Sequence, residues 1–509
     1  MPRLLLILAV LTTSIVAAAG CGRDDSAASD AASLVPARAL VYGEATLRPD
    51  GDQKAGIDAL VSKFPGEGSA GERISRLLEK AVAKSDPEFS WKRDFEPWIG
   101  DQAAFFVSGL RPDGGDADYA LLVATEDEDA TVETLEKDRD GRKTDYRGHD
   151  LYVFEADETS AALVDGWLAI GNTGGVKAAI DVAEGGDAID DDDAYQRALE
   201  DASEDRLGFV YVNSPVFAEQ LQKSPAGAAL GQFRKLFAEP VIATLDTDEA
   251  GIRFEATVPA SYLAGLFFIA EGSDLVAGLP ADAWLAMAQP ELGKTVDAYV
   301  DLVAGTVGGR DVIAQQLRAA TGLDLERDVI SWMGDWGVFV RGTTVDEVDG
   351  ALMIETSDEA ASGRFIDAVA RLVRRSGGGV TVGPLALPGG GEGVTLRSPS
   401  LPKPIHLFQR DGKVVAAYGD GAAGDALNPG ETLGDTESFA AADDALGGDY
   451  AISFYLAMAP ILQLVDSTEA AADEDWQEAR PYLEPLDAIV AGARKDGDKL
   501  RSAFGVRVK

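Results

Sequence analysis

Apolar and polar positions along the chain change period repeatedly, and each change marks an element. Residues 39–47 alternate as a half-buried strand, whereas 72–84 place Ile74, Leu77, Leu78 and Val82 at helical spacing. Residues 102–109 and 119–125 read as strands, and Thr125 is expected to cap a helix whose first turn holds Glu126, Asp127, Glu128 and Asp129. Further strands are predicted at 151–155 and 161–170, helices at 176–183 and 193–202, a strand at 208–213, and a closing hairpin across 241–258. Neighbouring strands joined by short turns favour antiparallel pairing, so the fold class read from the pattern is α+β.

The pattern then repeats. Arg93-Asp94-x-x-x-Trp98-x-Gly100-Asp101-x-x-x-Phe105 recurs as Arg327-Asp328-x-x-x-Trp332-x-Gly334-Asp335-x-x-x-Phe339, identical at the named positions and in their spacing. Other correspondences keep the same order: Val35-Pro36-Ala37 with Leu279-Pro280-Ala281, 120–125 with 351–356, and 189–211 with 433–455 without a gap. Two homologous tandem domains are therefore expected, at 35–260 and 275–509, joined by a connector at 261–274. Each is expected to be a mainly antiparallel sheet with packed helices. The second is looser in the middle, where Gly377-Gly378-Gly379 and 388–391 read as loop breakers. The apolar stretch 263–270 is short and reads as a packed helix or strand.

The N-terminus has a different logic. Arg3, an uncharged apolar run over 4–16 and small residues at 17–20 read as a secretory signal, too short to span a bilayer comfortably. Cys21 follows, the only cysteine in the chain. Ala18-Ala19-Gly20-Cys21 resembles the lipobox of bacterial lipoproteins, with Ala18 where leucine is most usual. The resemblance implies removal of residues 1–20 and lipidation of Cys21, including palmitate, on the extracytoplasmic face of the cell membrane. Residues 21–34, small and polar up to Leu34, read as the lipidated cysteine followed by a flexible leash with an average reach of about 20 Å. With one cysteine no internal disulfide exists, so the exported domains rely on burial.

Composition narrows the partners. The formal charge is −42, from 87 acidic and 45 basic residues, and becomes −43 when loss of residues 1–20 removes Arg3. Nucleic acid is excluded as a partner, since phosphate binding runs on clustered Lys and Arg. An anionic lipid face also repels such a surface, so the membrane is reached through the N-terminal lipid.

No residue pattern calls for a cofactor, a metal or a catalytic group. The only histidines, His149 and His406, exclude a multi-histidine zinc site, and both read as structural. The run Asp190 to Asp193 lacks the spacing of a calcium loop and reads as a helix cap ahead of Tyr195. The candidate binding residues are Trp98, Asp101, Trp332 and Asp335, singled out by their duplication. The competing structural reading has the indole anchoring a core, Gly allowing an unusual turn angle and Asp capping that turn.

Together the lipobox, the Trp-x-Gly-Asp segment, the Tyr146-Arg147-Gly148 turn and the Val164-Asp165-Gly166-Trp167 hairpin resemble the domain-of-unknown-function 3352 family of bacterial lipoproteins and membrane-anchored envelope proteins. That resemblance implies no activity. The second repeat departs from it, with Gln409-Arg410-Asp411-Gly412 at the hairpin. The expected function is a non-enzymatic binding or scaffolding role toward an envelope protein, lipid or glycan. Alternatives are a solute or lipid carrier with its site between the repeats and, last, a carboxylate-dependent envelope hydrolase.

Overall fold

Apolar runs such as Ala120-Leu121-Leu122-Val123-Ala124 are buried along their whole length, because successive side chains enter cores on opposite faces of one sheet. The computed structural model describes residues 31–509 apart from 86–89, 110–116, 138–140, 156–157, 201, 203–205, 223–238, 260–271, 377–378, 388–391 and 498. It divides into two units, 1–259 and 260–509. The signal segment, Cys21, the leash up to residue 30 and most of the connector, with the apolar stretch 263–270, lie outside the described residues.

In the first unit the described strands are β1 (Val41–Thr46), β2 (Ile99–Gly109), β3 (Asp118–Thr125), β4 (Arg142–Tyr146), β5 (His149–Phe154), β6 (Thr159–Val164), β7 (Trp167–Gly171), β8 (Gly208–Val212), β9 (Val241–Thr247) and β10 (Gly251–Pro259). They pair antiparallel throughout, in the order β10-β9-β8-β1-β2-β3-β7-β6-β5-β4. On one face Tyr42, Phe106, Leu122 and Trp167 pack with Val176 and Ile180 of the helix Thr173–Ala183 and with Tyr195 of the helix Asp193–Glu200. On the other, Leu121, Val123, Leu168 and Ile170 pack with Leu78, Trp91, Trp98 and Leu135.

The second unit contains β11 (Ala283–Gln289), β12 (Met333–Arg341), β13 (Asp349–Thr356), β14 (Thr381–Pro384), β15 (Glu392–Arg397), β16 (Ile405–Arg410), β17 (Lys413–Tyr418), β18 (Ala451–Ala457), β19 (Leu486–Asp496) and β20 (Lys499–Val508). Their antiparallel order is β20-β19-β18-β11-β12-β13-β17-β16-β15-β14. The two orders match position for position. The α+β class follows from these sheets and the helices packed on them.

Several local expectations need correction. Residues 31–34, read as the end of the leash, form a short helical turn with Ala31, Ala32 and Leu34 buried in the first core. Small alanines sit closely against the sheet there, which composition alone does not reveal. Asp127, not Thr125, caps the helix Glu128–Lys137, accepting from the Ala130 amide at 3.0 Å, while the Thr125 hydroxyl turns back to the Trp98 carbonyl at 3.1 Å. Asp358 repeats that cap on Ala361 at 3.0 Å. The middle of the second unit holds β14 and β15 rather than loop alone.

Close backbone approach fixes Gly175, early in the helix Thr173–Ala183. A Cβ there would lie 1.9 Å from the Tyr119 carbonyl oxygen and 2.2 Å from its carbon, both backbone atoms that cannot step aside. Gly→Ala inside a helix ordinarily stabilises by about 1 kcal/mol. Here Gly175→Ala is expected to destabilise by about 1–3 kcal/mol, because the helix must lift off β3. Urea unfolding measures the sign; a stabilised variant would disprove the close approach.

Candidate functional site

The duplicated motif folds, in each unit, into one wide turn that precedes a sheet strand. In the first unit the Glu96 amide donates back five residues to the Trp91 carbonyl at 2.9 Å; in the second the Ser331 amide does the same to Glu326 at 2.9 Å. Such turns need a reason to persist, and here it is a buried aspartate. Asp94 accepts from Arg93 Nε at 3.1 Å and Nη2 at 2.7 Å, from Lys137 Nζ at 2.7 Å and from the Ser90 amide at 2.8 Å. Asp328 accepts from Arg327 Nε at 2.9 Å and Nη2 at 2.8 Å, from Arg364 Nη2 at 2.7 Å and from the Asp324 amide at 2.9 Å. Burial pushes the Asp94 carboxyl up, but the hydrogen bonds from Arg93, Lys137 and Ser90 outweigh it and hold the pKa at about 2. Arg327 holds Asp328 far below the ordinary carboxylate range as well.

The candidate tryptophans belong to this clamp. Trp98 Nε1 donates to the Asp94 carbonyl at 2.6 Å and Trp332 Nε1 to the Asp328 carbonyl at 3.0 Å, with both rings buried. Neither indole is presented to a ligand. Gly100 does not adopt a left-handed angle; it is required because a Cβ would lie 2.9 Å from Ala124 Cβ and 3.0 Å from the Ala124 carbonyl. Identical spacing also conceals a slip. Between the pairs Ile99/Thr125 and Ala103/Val123, β2 has one residue more than β12 has between Met333/Thr356 and Trp336/Ile354. The structural counterpart of Phe339 is consequently Phe106, opposite Tyr42, and not the aligned Phe105. A one-residue slip moves a side chain to the other face.

That bulge separates the two candidate aspartates. The Asp101 carbonyl accepts from the Leu47 amide at 2.6 Å, a backbone role. The Asp335 side chain instead accepts from Ser273 Oγ at 2.9 Å and from the Glu291 amide at 3.0 Å, and it lines a cavity of about 330 Å³ in the second unit. Ser273, Asp274, Met353, Glu355 and Lys413 share the wall. Glu355 and Lys413 face one another across β13 and β17. Neither side chain has a hydrogen-bond or ionic partner among the described residues.

In the first unit the positions of Glu355 and Lys413 are held by Ala124 and Trp167, paired across β3 and β7 beside the same two-residue turn. Asp165-Gly166 and Asp411-Gly412 both have positive φ at the two central positions, so one hairpin type aligns the two pairs. Trp167 is fully buried. An indole thus fills in one unit the place that opens as a charged cavity in the other. Sequence reasoning singled out Asp335 but missed Glu355 and Lys413; aligning the Asp-Gly turns would have found them.

The remaining chemical candidates are structural. The Thr395 hydroxyl, His406 Nδ1 at 3.1 Å and Asp420 Oδ1 at 2.8 Å from His406 Nε2 stand in the order of a relay. Thr395 is 4% exposed and already accepts from the Ala386 amide at 3.0 Å, so no nucleophile is offered to substrate. Asp192 caps its helix, accepting from the amides of Ala194 and Tyr195 at 2.8 and 2.9 Å. His149 lies at the start of β5, with Nε2 3.1 Å from Glu184.

A family model described as a protein of unknown function, DUF3352, matches residues 3–499, and the chain belongs to that family. Two solved structures of a protein named TP0453, crystal forms I and IV, align at 12% and 10% identity over 46% of this chain and 79% and 81% of theirs. Their TM-scores of 0.26 are too low to bear on fold or function. No curated protein matches the chain.

The clamp makes stability depend on acid in a stated direction. Asp94 titrates near 2 in the folded protein against about 3.9 unfolded, so its contribution, about 2 kcal/mol, is present above pH 4 and is lost as pH falls toward 2. Asp94→Asn is expected to lose about that amount at pH 7 and to show a shallower decline of stability between pH 4 and 2. Chemical denaturation across that range checks both statements. An unchanged slope would show that Asp94 is not held in its charged form.

Proposed function

We propose that this member of the DUF3352 family is an exported, lipid-anchored, non-enzymatic binding protein built from two homologous domains, in which the second domain carries the binding site. The observation that carries the reading is the exchange of Ala124 and Trp167 for Glu355 and Lys413, which turns a sealed core position into a charged cavity. The cavity brings together carboxylates and an ammonium but no imidazole, an arrangement suited to holding a polar ligand.

Duplication is supported by the shared strand order and by bonds at corresponding places. Pro36 bridges to Ala188 as Pro280 does to Thr432. The Ile189 amide donates to the Val35 carbonyl at 2.8 Å, as Leu433 does to Leu279 at 2.8 Å. Both motif aspartates anchor the same wide turn.

The location rests on the N-terminal segment. Arg3, the apolar run and Ala18-Ala19-Gly20-Cys21 are what a lipoprotein signal requires. Among the described residues no helix is long and apolar enough to cross a membrane, which leaves the lipid on Cys21 as the attachment in this reading. A charge of −42 disfavours nucleic acid and anionic lipid surfaces as partners.

Two experiments test the proposal. Metabolic labelling with palmitate is expected to mark the wild-type chain and not Cys21→Ala, with the variant moving from the membrane to the soluble fraction. Label persisting on the variant, or undiminished membrane association, would refute the anchor. For binding, small molecules released from protein purified from its native envelope are compared with those from a variant carrying Glu355→Ala and Lys413→Trp, which restores the plug of the first domain. At least one compound is expected to be enriched tenfold or more on the wild type. Identical extracts would count against a binding site in the second domain.

A further inference from the structure

The cavity of the second unit has a specific charge pattern. Lys413 contributes one cation, while Asp274, Asp335 and Glu355 contribute three carboxylates, of which Asp335 is already hydrogen bonded by Ser273 and the Glu291 amide. Lys413 and Glu355 lie directly opposite on adjacent antiparallel strands, yet their side chains form no ion pair with each other or with any described residue. Opposite charges in such a cross-strand pair ordinarily gain by closing on one another. Lining the cavity without pairing, Glu355 exposed and Lys413 half-buried, they present a carboxylate and an ammonium to whatever enters.

We infer that this cavity binds a small cationic amino acid, of the lysine or arginine class, by its charged groups. The ligand carboxylate pairs with the Lys413 ammonium, its α-ammonium with Glu355, and its second cation with Asp274 and Asp335. The match is one of number as well as sign: one carboxylate meets the single lysine, and two cations meet the acidic wall. A simple anion would meet three carboxylates, and a diamine would leave Lys413 facing a like charge. About 330 Å³ accommodates a molecule of this size. The apolar stem would lie along Leu279, Met353 and Ala426, buried residues of the same wall. Because Trp167 fills the equivalent position, the first unit has no such site.

This inference rests on the binding role proposed above, and its test separates the two. Isothermal titration calorimetry of the full chain uses L-lysine and L-arginine as ligands, with 1,5-diaminopentane, propionate and N-acetylglucosamine as discriminating probes. The expected result is saturable binding of L-lysine or L-arginine with a dissociation constant of about 1 mM or tighter, and binding of the diamine and of propionate at least about tenfold weaker. Lys413→Met and Glu355→Gln are each expected to weaken amino-acid binding about tenfold or more, and the double change Glu355→Ala with Lys413→Trp to abolish it. Circular dichroism and thermal melting confirm that each variant is folded before titration. Equal binding of 1,5-diaminopentane, or undiminished binding to the double variant, would overturn the assignment. Binding of N-acetylglucosamine alone, lost in the double variant, would overturn the ligand class while keeping the binding role. Failure of every probe, with identical native extracts from wild type and double variant, would overturn both.

Discussion

A carboxylate buried at the foot of a wide turn is the constraint on which each unit depends. Removing an ion from water costs several kcal/mol unless partners replace the lost hydration. Asp94 and Asp328 each receive a bidentate arginine from the preceding residue, a second cation from a neighbouring helix and a backbone amide. That set of donors holds the turn; the turn's carbonyl then receives the tryptophan N–H, and the indole fixes where the next strand begins. The clamp is structural, although its sequence stood out as a candidate site. Its second cation comes from a different place in each unit: Lys137 closes the helix Glu128–Lys137, whereas Arg364 lies in the second turn of the helix Glu359–Ser376, so the same charge reaches the aspartate from different positions.

From the clamp, register follows. β2 and β12 start under equivalent indoles, but the extra residue of β2 is absorbed before Ala103, after which the strands run in step as far as Val107. Where the bulge sits, the Asp101 backbone carbonyl accepts from the Leu47 amide just past the end of β1. Without that extra residue, Asp335 is free to use its side chain, and it fastens Ser273 and the start of the helix Leu292–Val307 at the rim of the cavity. One residue of backbone length therefore separates a purely structural aspartate from one that lines a cavity.

Much of the fold was legible because its signals are local. The alternation at β1, the continuous apolar run of β3 and the helical spacing of Ile74, Leu78 and Val82 report burial directly, while Leu77, at the same spacing, stays exposed. The helix Gly51–Ser62 escaped notice because only Ile57 and Leu60 are buried in it and it opens on Gly, Asp, Gln and Lys. The roles of Gly100 and Gly175 were not legible, since each depends on a backbone that approaches from elsewhere in the chain. The site was half legible. Asp335 stands out because its motif recurs, whereas Glu355 and Lys413 stand where the two units differ, at positions that a match of identical residues passes over.

Those two differences have an energetic consequence. A buried tryptophan removes about 150–250 Å² from water, worth about 4–6 kcal/mol at 25 cal/mol/Å², an upper figure since unfolded chains are partly compact. The first unit keeps that contribution through Trp167 and the second forgoes it. Nothing in the backbone forces the loss, because the Asp-Gly turn, the register of the hairpin and the order of the strands are the same on both sides. A stabilising residue that the same strand order accommodates in one unit and lacks in the other is the pattern expected where packing alone does not set the residue. The polar wall that replaces it carries unpaired opposite charges, which add little to stability on their own and gain only when a complementary molecule enters.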